Sequence, residues 1–90
     1  MKIIQTSIFV KQSKKLHKNQ KQDLDSAIKT ILINPLLGDM KKGNLNSIRV
    51  YKFKIVQQLT LLAYEWYEDE LLLILLALGS HENFYRNLKK

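Results

Sequence analysis

The chain alternates between two spacings of apolar residues, and the switch divides it in half. Ile3 and Ile4 open it as a short β-branched strand over Lys2 to Thr6. From Ser7 the spacing turns helical, with Ile8, Phe9 and Leu16 able to share one face while Lys11, Lys14, Lys15 and Lys18 fall elsewhere. Asn19 followed by Gln22 resembles a capping box that starts a second helix. In that helix Leu24, Ala27, Ile28, Ile31 and Leu32 fall at i, i+3, i+4, i+7 and i+8, one apolar stripe. Pro35 ends it, since a proline pushes the preceding Asn34 out of helical geometry. This predicts a helical hairpin linked near residues 18–20. Residues 36–47 read as a loop, with turns at Gly38-Asp39 and Gly43-Asn44.

The period then falls to two. Tyr51, Phe53 and Ile55 point one way and Val50, Lys52 and Lys54 the other, which predicts a sheet with one side on helices and one side open. A turn at Gln57-Gln58 leads to a second strand, Leu59 to Tyr67, and Glu68-Asp69-Glu70 turns into a third. That third strand, from Leu71, is an unbroken apolar run closed by Gly79. It is too short for a bilayer, which needs about 20 apolar residues, and it suits a central strand covered on both faces. Ser80 is placed to cap a last helix. The expected fold is α+β: a helical hairpin on a small antiparallel sheet, in the order β-α-α-β-β-β-α.

Composition narrows the chemistry. Ninety residues make one domain, 1–90. The absence of cysteine removes disulfides, thiolate metal sites and a cysteine nucleophile. Residues 1–6 lack the apolar core of a signal peptide, so a cytoplasmic location is expected, with no membrane partner. Fifteen Lys+Arg against eight Asp+Glu give a formal charge of +7 with the lysines clustered, a field that attracts phosphate polymers or acidic proteins. No glycine-rich nucleotide loop and no His/Asp/Glu set with metal spacing is present, so neither a cofactor nor a metal is expected.

What remains is His81 with Glu82, Tyr85 and Arg86 at the strand-to-helix junction, and Lys52 and Lys54 on a nearby strand face. Cutting RNA needs a base for the ribose 2′-hydroxyl, an acid for the leaving 5′-oxygen and cations on the phosphorane. Histidine changes charge near neutral pH, so His81 is a candidate acid, or else a hydrogen bonder at the helix start. Glu82 is a base or a favourable charge on the first helical turn. Lys52 and Lys54 are phosphate binders or lysines that blunt a strand edge. Tyr85 stacks on a base or packs at the rim, and Arg86 contacts phosphate.

The size, charge and element order, together with Tyr51-Lys52-Phe53-Lys54 and the tail Leu78 to Arg86, resemble the RelE/ParE superfamily of bacterial type II toxins across nearly the whole chain. The resemblance implies a toxin paired with an antitoxin encoded beside it, which the charge predicts to be acidic. RelE-like members cut messenger RNA on the ribosome without metal; ParE-like members inhibit DNA gyrase and are not nucleases. By resemblance the RelE-type strand lysines fall on Lys52 and Lys54, the basic residue after the last strand on His81 and the terminal tyrosine on Tyr85. The middle-strand arginine of RelE falls at about Leu61. Arg49 or Arg86 is then the candidate replacement for substrate binding. The expected activity is endoribonuclease, with gyrase inhibition as the alternative.

Overall fold

The computed structural model describes residues 1–40 and 48–80. The elements are β1 (Lys2–Gln5), α1 (Ser7–Lys14), α2 (Lys18–Ile33), β2 (Asp39–Met40), β3 (Arg49–Ile55), β4 (Gln58–Tyr67) and β5 (Leu72–Gly79). The expected last helix lies outside the described residues. The five strands form one sheet in the order β1-β5-β4-β3-β2. Strands β3, β4 and β5 are the expected antiparallel meander. β1 joins it in parallel beside β5, Lys2 opposite Leu72 and Gln5 opposite Leu75.

The two helices cover one side of this sheet. Phe9 from α1 and Leu24 and Ile31 from α2 are buried against Leu62, Tyr64, Leu73, Leu75 and Leu78, with Tyr51 and Phe53 packed alongside. The alternation of β3 is therefore as the spacing predicts, and the Tyr51 and Phe53 rings stack at 5.7 Å. Each large side chain removed from water here contributes roughly 1.5–3 kcal/mol before the entropy of ordering is subtracted. Ile8, expected on the same stripe, is instead 42% exposed.

Thr6 sets the entry into α1. Its hydroxyl oxygen accepts the Phe9 N–H at 3.1 Å as an N-cap, and its O–H donates to the Leu76 carbonyl at 2.7 Å. Leu76 is the extra residue of a bulge in β5, between the Ala63–Ala77 and Tyr64–Leu75 pairs. One side chain thus caps a helix and satisfies an acceptor at the bulge.

Several boundaries differ from the expectation. The helical link is Lys15 to His17 rather than 18–20, because Lys15 and Leu16 N–H groups bond back to Gln12 and Ser13 and tighten the end of α1. The N-cap of α2 is accordingly His17, not Asn19; Gln20 Oε1 accepts the His17 N–H at 2.7 Å. The 36–47 stretch contains the short edge strand β2, Asp39 opposite Val50 and Met40 opposite Arg49. The β3–β4 turn is Val56-Gln57, one residue earlier than expected, and both residues have positive φ (46° and 70°), the geometry of a type I′ hairpin. β5 starts at Leu72 because Leu71 belongs to the turn, with φ 48°.

Candidate nucleic-acid interface

β3 carries the two lysines on the side away from the helices. Lys52 and Lys54 are exposed and two residues apart, which in a strand sets their Cα atoms about 7 Å apart on one face. Lys52 lies directly across from Leu61 and Lys54 from Leu59; Leu61 in turn pairs with Gly79. β5 therefore leaves the sheet level with Lys52, roughly 10 Å away across two strand spacings. His81, Glu82, Tyr85 and Arg86 follow that exit and lie outside the described residues.

The expectation of an open face holds only at its lysine end. On the rest of that face Val50, Leu61 and Ala63 form a second buried cluster, with Ile48 and Leu76 packed against it. Leu61, at the position where the resemblance places an arginine, is fully buried. Both lysines are exposed, so their attraction for a phosphate is that of solvated charges and weakens with salt. Lysine binds phosphate as a point charge, without the fixed fork of an arginine.

Arg49 is not brought to this face. By alternation it shares the helix side with Tyr51 and Phe53, and its guanidinium donates to the carbonyls of Leu36 at 3.1 Å and Gly38 at 2.9 Å. The same stretch is held by Tyr64, whose O–H donates to the Pro35 carbonyl at 2.7 Å and whose oxygen accepts the Gly38 N–H at 2.9 Å. Burial pushes the Tyr64 hydroxyl above its ordinary pKa, and the Gly38 hydrogen bond and the charge of Arg49 pull it partly back. Sequence reasoning missed this latch. Its signal was a tyrosine at a helix-facing position of a strand, where a buried phenol needs a partner for its O–H.

It also missed Asp23. Its carboxylate accepts the Val56 N–H at 2.8 Å, tying the turn next to Lys54 to helix α2. Nothing in the local sequence pairs residues 33 positions apart.

The likeness to known proteins is broad in fold and low in sequence. The chain is similar to the structure of the intact E. coli RelBE toxin–antitoxin complex, with 17% identity, TM-score 0.71, and coverage of 90% of this chain and 96% of that one. It is similar to an E. coli RelE mutant bound to a RelB peptide, at 15% identity and TM-score 0.70 over 99% and 94% of the two chains. A conserved hypothetical protein from Helicobacter pylori shares 22% identity at TM-score 0.57, over 93% and 98%. No curated protein matches the sequence. The family described as the ParE-like toxin of type II bacterial toxin-antitoxin systems matches residues 3–89. With that match spanning nearly all of the sheet and hairpin described above, the chain belongs to the ParE-like toxins of type II toxin–antitoxin systems.

Proposed function

We propose that this toxin acts on RNA through its lysine face, cleaving messenger RNA on the ribosome without a metal. The observation that carries the reading is the pair Lys52 and Lys54, exposed on one strand face and level with the exit of β5. In this reading the lysines hold the scissile phosphate and stabilise the charge that grows on it. His81 donates the proton to the leaving 5′-oxygen. Glu82 takes the proton of the 2′-hydroxyl, Tyr85 stacks on a base, and Arg86 supplies the arginine contact, since Arg49 is held on the other face. No cofactor enters the reaction. An acidic antitoxin, encoded nearby, neutralises the basic surface, in keeping with the RelE structures solved with RelB.

A second reading has its own support. Leu61 is buried where RelE-type toxins carry a cation, and the matching family is ParE-like. Both favour a toxin that inhibits gyrase and has no catalytic residues. One experiment separates the two. A translation extract given the protein should accumulate messenger RNA cut at ribosome positions while gyrase supercoiling is untouched. His81→Gln should slow single-turnover cleavage by about 10² to 10⁴ with no change in melting temperature, the usual contribution of an acid–base group. Intact messenger with trapped gyrase–DNA complexes would establish the second reading instead.

A further inference from the structure

A cavity of about 270 Å³ opens at the end of the sheet next to Lys54, between the α1–α2 link, the β3–β4 hairpin and the end of β5. Leu16, Ile55 and Leu78 give it apolar lining, and Gln12, Lys15 and Gln20 give it polar lining. Its volume is just below the range of pockets that take drug-sized ligands, so it suits one small ring system. Leu59 also lines it, and Leu59 is the strand partner of Lys54. Paired Cα atoms lie about 5 Å apart, so the cavity begins at the end of the sheet one strand over from Lys54, and a nucleotide joining the two would pass around that end from the lysine face to the helix side.

The two glutamines give the cavity a polarity. Gln12 Oε1 accepts the Leu78 N–H at 2.6 Å, and Gln20 Oε1 accepts the His17 N–H at 2.7 Å. Each amide is thereby oriented: one lone pair of the oxygen is engaged by backbone, and the N–H₂ group keeps its two donors. With the Lys15 ammonium, the polar rim offers donors, so it favours ligand groups that accept. Among nucleobases, uracil and guanine present a carbonyl acceptor where cytosine and adenine present an amino donor.

We propose that this cavity is a base-binding subsite for a nucleotide adjoining the phosphate on Lys52 and Lys54, and that it selects keto bases over amino bases. The proposal rests on the RNA-directed reading above. Single-stranded RNA offers such unstacked bases for hydrogen bonding on their edges. The subsite gives the toxin a sequence preference that a lysine pair alone does not have.

The test uses the ¹⁵N-labelled full chain and two neutral probes, uridine and cytidine, which report on the base without a phosphate. Uridine should shift the side-chain N–H₂ signals of Gln12 and Gln20 and the amides of Gly79 and Ser80, and bind at least about tenfold tighter than cytidine, the equivalent of 1.4 kcal/mol. Gln20→Glu keeps the oxygen that accepts the His17 N–H, and glutamate is favoured at this helix position, so the variant folds. It exchanges the donor pair for acceptors and should cost uridine about tenfold or more, with cytidine unchanged or improved. Gln12→Glu makes the same exchange at the second glutamine. Equal affinity for both nucleosides, or shifts that miss the cavity, would overturn the subsite. Ribose 5-phosphate, which lacks a base, reports on the lysines separately. Its failure to shift Lys52 and Lys54 signals would sink the phosphate reading while leaving the nucleoside result to stand or fall alone.

Discussion

Gly38 shows how narrow the tolerance is at a single residue. A Cβ built there would lie 2.8 Å from Tyr64 Oη and 3.1 Å from the Val50 carbonyl carbon. The backbone has to pass this close because its N–H donates to the same hydroxyl. Gly38→Ala should therefore destabilise the fold by about 1–3 kcal/mol, the usual cost of forcing extra volume into a packed site, read as a lower denaturant midpoint at unchanged slope. Tyr64→Phe leaves the Gly38 N–H and the Pro35 carbonyl without their partner and should cost about 1–3 kcal/mol. The sign of the pH dependence follows from the raised pKa of the folded state. Tyr64 contributes stability that is present in full below the unfolded value near 10 and is lost as pH rises through the higher folded value. Tyr67, raised by its hydrogen bond to Glu65, titrates in the same alkaline window, so the comparison must be with Tyr64→Phe. That variant should lose less stability between neutral and strongly alkaline pH than the wild type, in melts followed across the range.

At the scale of elements, the β3–β4 hairpin is the place where local preference and structure disagree. A left-handed residue costs roughly 1–2 kcal/mol when it is not glycine, and a β-branched one at φ 46° is an outlier. The strands on either side and the Asp23 carboxylate hold Val56 there. Replacing Val56-Gln57 by Asn-Gly, the pair this turn favours, should stabilise the protein by about 1–2 kcal/mol, and Asp23→Ala should weaken it by about 1 kcal/mol. If Asn-Gly leaves the melting temperature unchanged, the turn carries no strain. This hairpin also marks the limit of what the residues disclose. The α2 stripe and the alternation of β3 were legible because the core imposes period 3.6 on one and period 2 on the other. The turn was misplaced by one residue because neither Val56 nor Gln57 is a turn former. β2 was missed because two residues are too few to show any period. Lys52 and Lys54 stood out as charges within an alternating strand. The Arg49 and Tyr64 latch did not, since its partners are main-chain groups of residues 35–38, and the helix-facing tyrosine hinted only that a partner was needed.

For the whole molecule, a formal charge of +7 on 90 residues acts as a single field. Each phosphate neutralised releases counterions, so affinity for single-stranded RNA should fall with salt, with a logarithmic slope of about −0.7 per contact. Lys52→Ala and Lys54→Ala together should reduce that slope by about 1.4 in fluorescence titrations over a salt series. A double variant with the wild-type slope would remove the strand lysines from the interface.

The parallel pairing of β1 with β5 has a consequence for time rather than space. β1 is made first, yet its sheet partner, residues 72–75, is among the last of the described elements to be synthesised. Thr6 closes on Leu76 across 70 positions and Gln12 on Leu78 across 66. Such distant closures slow folding, because loop entropy is lost before any contact rewards it. Until β5 emerges, α1 lacks the strand it packs on, and the lysine strand has no complete sheet behind it. A chain partway through synthesis therefore lacks its completed sheet. A fragment ending at Tyr67 should lack cooperative melting, and the full chain should refold in milliseconds to seconds rather than microseconds in stopped-flow experiments.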